Sequence, residues 1–118
     1  IKTSAATNKH GFRVFYIDTN IFSNLTIEGF QRGLNLVRST GNKISDCTLL
    51  NQTNRGLWFQ RSGGNLIERT DIYGNAVDGV KAEGSGVLVF RDCSISNNGT
   101  NNFWLNEGAI ALMDNVDF

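Results

Sequence analysis

The sequence predicts an all-β solenoid: short parallel strands wound into about five coils of 22–23 residues, each stacked on the last. Three observations predict it. One element recurs as Asn24-Leu-Thr-Ile27, Asp46-Cys-Thr-Leu49, Arg69-Thr-Asp-Ile72, Asp92-Cys-Ser-Ile95 and Asn115-Val-Asp-Phe118, at steps of 22, 23, 23 and 23 residues. A second keeps the same pace from His10-Gly-Phe-Arg-Val14 through Arg32-Gly-Leu-Asn-Leu36, Arg55-Gly-Leu-Trp-Phe59 and Asp78-Gly-Val-Lys-Ala82 to Asn101-Asn-Phe-Trp-Leu105. Apolar residues alternate within each unit, and no stretch sustains a 3.6 period.

Each coil reads in the same order. It opens on a strand with two inward apolar positions: Leu34 and Leu36, Leu57 and Phe59, Val80 and Ala82, Phe103 and Leu105. A turn follows, punctuated by Gly41, Gly64 and Gly86. A second short strand carries the apolar column Phe22, Ile44, Ile67, Phe90 and Met113. The third carries two inward columns, Leu25/Cys47/Thr70/Cys93/Val116 and Ile27/Leu49/Ile72/Ile95/Phe118. No coil buries its own face, so neighbours must cover it. Residues 1–9 read as an incomplete first coil and 110–118 as an incomplete last one. No capping helix is read at either end, so the chain is expected to be a segment of a longer helix or to have partners on its open ends.

The pattern N-x-I-x-D-C-T-L…N-x-x-x-G-L-x-F resembles the right-handed, single-stranded parallel β-helix repeat of the pectate-lyase-like superfamily, over roughly residues 10–118. That superfamily includes polysaccharide lyases, polygalacturonases, C5-epimerases and phage tailspikes. The resemblance implies the fold and, more weakly, a polysaccharide ligand. The polygalacturonase motifs (NTD, DD, GHG, RIK) and the epimerase DPH motif are missing, and Lys9-His-Gly11 is no substitute for GHG. His10 is therefore read as an exposed member of its column.

Stacked coils lie ~4.8 Å apart, so equivalent residues touch. Cys47 and Cys93 fall two coils apart, ~10 Å, too far for a disulfide, and are read as small core residues. The columns Asn24/Asp46/Arg69/Asp92/Asn115 and Ser23/Ser45/Glu68/Arg91/Asp114 each set an arginine between two acids, which reads as register-setting neutralisation. Calcium at Asp71, Asp92 and Asp117 is not expected, because these acids lie apart or are paired. No metal site or cofactor is expected.

The opening strand presents a different face. Its outward column is Arg13, Asn35, Trp58, Lys81, Trp104. Beside it run Phe15, Val37, Gln60, Glu83, Asn106, then Tyr16, Arg38, Arg61, Gly84, Glu107. The leading edge holds His10, Arg32, Arg55 and Asp78. Like charges stack here, Arg32 on Arg55 and Arg38 on Arg61, which is unfavourable unless an anion neutralises them. Two outward tryptophans ~10 Å apart suit sugar rings, with Trp58, Trp104, Arg38, Arg61, Lys81, Gln60 and Arg55 as carbohydrate-binding candidates. Packing on a neighbouring subunit of a trimer, or beneath a loop of the same chain, explains the same tryptophans. Hydrolysis needs two carboxyl groups about 5–9.5 Å apart. Glu83 and Glu107 are the candidate pair, and Asp78, ~16 Å away along the strand, could join only through another subunit. A lyase would use Arg61 or Lys81 as base.

Net charge is zero, but residues 1–61 carry +5 and residues 62–118 carry −5. This predicts an axial dipole and head-to-tail association at low salt. A generally basic nucleic-acid binder is excluded, and no apolar run approaches the ~20 residues of a membrane span. Two function classes stay open. One is a β-helix segment of a tailspike-like or secreted protein, at a virion surface or outside the cell, which binds surface polysaccharide and cleaves it if the acids are competent. The other is a structural shaft or trimerisation segment without a ligand of its own.

Overall fold

The computed structural model describes residue 2 and residues 9–118. The expected incomplete coil over residues 1–9 lies mostly outside the described residues. The first described coil comprises β1 (His10–Phe15), β2 (Ile21–Ser23) and β3 (Thr26–Glu28). The next comprises β4 (Arg32–Val37), β5 (Lys43–Ser45) and β6 (Thr48–Leu50). The third comprises β7 (Arg55–Gln60), β8 (Leu66–Glu68) and β9 (Asp71–Tyr73). The last two are β10 (Asp78–Glu83) with β11 (Val87–Ser96), and β12 (Asn101–Asn106) with β13 (Ile110–Asp117).

All described pairings are parallel. One sheet runs β1-β4-β7-β10-β12 in chain order, so the coils stack as the repeat requires. The basic and acidic halves of the chain therefore occupy opposite ends of the stack. The registers match the sequence columns: Arg13, Asn35, Trp58, Lys81 and Trp104 are successive partners. In the long strand β11, both short-strand positions of a coil merge through Asp92.

The core is the interior of the coils. Leu34, Leu36, Leu57, Phe59, Val80, Ala82, Ile27, Leu49, Ile72 and Ile95 are fully buried. Phe103 and Leu105 are half-buried, and Met113 and Phe118 are exposed, since no further coil covers them among the described residues. Phe118, expected inside, keeps only an edge-on contact with Phe103 at 5.7 Å. Cys47 and Cys93 are buried free thiols, and burial pushes both thiol pKa values up.

Polar ladders at the corners hold the coils in register. Ser39, Ser62 and Ser85 accept through their hydroxyls from the backbone N–H of the coil below (Ile17, Ser39 and Ser62, at 3.0, 3.0 and 3.2 Å). Asn42 and Asn65 do so with their amide oxygens (2.8 and 2.7 Å). A third ladder runs Gln52, Asn75, Asn98 at 2.8–3.2 Å. These side chains supply the partners that buried corner backbone needs.

The outer charge columns pair in part as expected, Arg69 with Asp46 (2.8 Å) and Arg91 with Asp114 (3.5 Å), and in part otherwise. Glu68 pairs with Lys43 (2.6 Å) and Arg69 (3.2 Å) rather than Arg91, and is nearly covered. Arg69 takes Asp46 through two bonds, while Asp92 accepts from Asn115 (2.8 Å). Diagonal reach between long side chains decides these partners, not column position alone.

Candidate functional site

Strands β4, β7 and β10 begin with a break in alternation. Gly33 and Leu34 are both buried, as are Gly56 and Leu57. A Cβ on Gly33 would lie 2.5 Å from the carbonyl oxygen of Gly56, so this inward position must stay bare. The break lets positions 32 and 35, and likewise 55 and 58, share the outer face.

Trp58 is outward but not free. The Arg32 and Arg55 guanidinium carbons lie 5.1 and 5.0 Å from its ring centroid, and Lys81 Nζ lies 5.8 Å away. The ring is half-covered by cations of its own chain. Trp104 is open at 41 % exposure, with Lys81 Nζ 4.0 Å from its ring. Arg55 also pairs with Asp78 (3.1 Å), whose other oxygen accepts from Asn101 (3.1 Å). Asp78 is fully buried in that pair and presents no carboxylate to a ligand. Asn35 is buried too, between Arg13 Nε (3.0 Å) and the Trp58 carbonyl (3.1 Å).

At the far end of the same strands the chain turns a corner in the left-handed region. Tyr16, Arg38, Arg61, Gly84 and Glu107 hold φ of 54, 49, 51, 57 and 52°. Their N–H groups bond the next coil, Arg38 to Gln60 O (2.9 Å) and Arg61 to Glu83 O (2.8 Å). The corner turns these side chains onto the face rather than into the core. A cleft of about 310 Å³ opens there, lined by Val37, Arg38, Gln60, Arg61, Glu83 and Glu107. Gly84 contributes no side chain. A Cβ there would meet Glu107 Oε2 at 3.4 Å and Arg61 Cγ at 3.7 Å. The gap at Gly84 therefore lets the two face each other. Lys81 Nζ holds Glu83 Oε1 at 2.6 Å, and Gln60 Oε1 accepts from Asn35 (3.2 Å).

The structure thus divides the sequence candidates. Arg38, Gln60, Arg61, Glu83 and Glu107 share one cleft. Trp58, Arg55, Lys81 and Asp78 form a packed ionic and aromatic strip along the middle of the sheet, with Trp104 at its end. Arg32 belongs to that strip, as its stacking on Arg55 indicated, and Arg13 and His10 lie beside it, Arg13 on Asn35 and His10 on Arg32. No cluster of three metal-ligating side chains occurs among the described residues.

The family model for the right handed beta helix region matches residues 1–118. Comparison with curated proteins gives no match, and neither does comparison with solved structures.

Proposed function

The chain belongs to the right-handed beta-helix family, and we propose that its outer sheet face binds an acidic polysaccharide, as a segment of a tailspike-like or secreted protein. The observation that carries this reading is the cleft at the corner column, where Arg38 and Arg61 stand beside Gln60, Glu83 and Glu107. Two guanidinium groups without a carboxylate within ion-pair distance among the described residues suit the carboxylates of uronic or sialic sugars. Gln60 suits hydroxyls. The open ring of Trp104 offers a stacking surface at the end of the same face.

Cleavage is a further step of the same proposal. Glu83, beside the Lys81 ammonium, takes the role of base or nucleophile. Glu107, which lines the same cleft and faces Arg61 across the gap at Gly84, takes the role of acid.

The test is affinity electrophoresis and calorimetry against a panel of acidic and neutral bacterial polysaccharides. Binding confined to acidic polymers, lost in Arg38→Gln/Arg61→Gln and reduced in Trp104→Ala, is expected. No binding by a folded wild type refutes it. Reducing ends, or unsaturated ends absorbing near 232 nm, separate hydrolysis from elimination. Glu83→Gln should remove either without abolishing binding.

The second reading, a structural shaft or trimerisation segment, draws support from Val87, Ile110 and Leu112, apolar side chains exposed on the outward side of β11 and β13. Sedimentation of wild type and Leu112→Lys distinguishes it: a trimer that dissociates in the variant favours the shaft.

A further inference from the structure

We infer that the leading edge of the face is a separate oxyanion site, built on Arg32 with Arg13, Arg55 and the Trp58 indole, which takes a carboxylate, sulfate or phosphate group. Its place is distinct from the cleft: Arg32 lies five residues before Val37, about 16 Å along an extended strand. It stands whether or not the cleft binds a glycan.

Four observations converge. First, His10, Arg32 and Arg55 are successive Cα partners, so their side chains are stacked without an intervening acid. Second, the neighbours are already served and Arg32 is not. Arg55 has Asp78 at 3.1 Å, and Arg13 has the Asn35 oxygen at 3.0 Å and the Phe15 ring at 4.7 Å. The Arg32 side chain touches the Trp58 ring, with no carboxylate at ion-pair distance among the described residues. Residues 1–9 hold no Asp or Glu, only Lys2 and Lys9, so that stretch brings no acid to the edge.

Third, Arg32 Nε, Trp58 Nε1 and His10 Nδ1 are buried without a hydrogen-bond partner. Two of these are obligate donors, and buried donors without acceptors are rare in folded proteins. Fourth, the edge carries a positive potential. Burial, then Arg55 and Arg13, lower the Arg32 pKa. Burial, then Arg32, Arg13 and Lys9, hold His10 down to about 4.

A cation is repelled here, and a neutral hydroxyl leaves the charge uncompensated. An oxyanion supplies both the negative charge and the acceptor atoms that Arg32 Nε–H and Trp58 Nε1–H lack. The planar guanidinium matches a two-oxygen edge, common to carboxylate, sulfate and phosphate.

The test uses the folded chain labelled with nitrogen-15. Its two indole N–H resonances are assigned with Trp104→Phe. Sodium sulfate, inorganic phosphate and glucuronate are titrated separately against sodium chloride at matched ionic strength. The expected result is a saturable shift of the Trp58 indole with an oxyanion and not with chloride, while the Trp104 indole stays nearly still. The inorganic and glucuronate arms distinguish a free anion from a sugar-borne carboxylate. Arg32→Gln should weaken the response at least tenfold, and Arg61→Gln should leave it unchanged. If Arg32→Gln does not fold, Arg32→Lys keeps the charge but loses the fork, and at least fivefold weakening is expected. A linear, unsaturable drift of both indoles, or an Arg32 variant that responds as wild type does, overturns the inference.

Discussion

Replacing Trp58 by alanine should destabilise the fold far more than replacing Trp104. Both occupy one outward column. Trp58 carries three cation contacts, from Arg32, Arg55 and Lys81 at 5.1, 5.0 and 5.8 Å, whereas Trp104 carries one, from Lys81 at 4.0 Å. At ~0.5–1 kcal/mol for a partly exposed contact, the Trp58 set amounts to about 1.5–3 kcal/mol and the Trp104 contact to at most about 1 kcal/mol. The Trp58 ring is also the aromatic face that the stacked guanidinium groups of Arg32 and Arg55 share. With a urea m-value of about 1.5 kcal/mol/M, the Trp58→Ala midpoint falls by about 1–2 M. Trp58→Phe keeps a ring and should recover part of that. The assay is equilibrium urea unfolding followed by far-ultraviolet circular dichroism, so that loss of the fluorophore does not matter. Equal midpoints for Trp58→Ala and Trp104→Ala would refute the reasoning and show that the cations around Trp58 do not stabilise it.

Asn75→Ala should cost about 2–5 kcal/mol, because it leaves the buried Gln52 N–H and Leu49 carbonyl without their 3.0 and 3.2 Å partners; chemical denaturation reads it. The His10 pKa falls on folding from 6.5 to about 4, so the unfolded chain binds the extra proton between those values. Stability should therefore be lost as pH falls from about 6.5 towards 4. His10→Gln should flatten that part of a melting-temperature profile. Gly84→Asn should leave stability within about 1 kcal/mol, since asparagine tolerates the left-handed region, yet place a side chain between Arg61 and Glu107. Binding of an acidic polysaccharide, measured by calorimetry, should drop at least tenfold.

The fold was legible because a solenoid writes its contacts into its period: a residue and its partner are one coil apart, so the register of Asn35, Trp58 and Lys81 follows from counting. The corner ladders keep the same step. Ser39/Ser62/Ser85 and Gln52/Asn75/Asn98 were open to the same counting, but polar residues between apolar strands read as solvated turns. The cleft was partly legible, since Arg38, Arg61 and Glu107 share one column with Glu83 beside it. The surroundings of Trp58 were legible only in part. Lys81 is its column neighbour and follows from the counting, but column reading sees vertical neighbours only, and Arg32 and Arg55 reach the ring from the leading edge, three positions earlier along their strands. The Asp78 carboxylate was visible directly after Arg55 in the edge column, and its burial in that pair follows from the contact.

The left-handed corners carry a consequence for how such a surface changes over time. Five successive coils hold tyrosine, arginine, arginine, glycine and glutamate at one corner, with φ between 49 and 57°. The backbone bends the same way whichever side chain is attached. Foldability is thus written on the inward positions and the charge of the cleft on the corners, in two nearly independent alphabets. Exchanging Arg38, Arg61 or Glu107 changes the charge that lines the cleft while leaving the inward positions of the coil unchanged. A library randomised at these corners among residues other than proline and the β-branched Val, Ile and Thr, which the left-handed region disfavours, should stay folded across most of its members and diverge in the charge of its cleft.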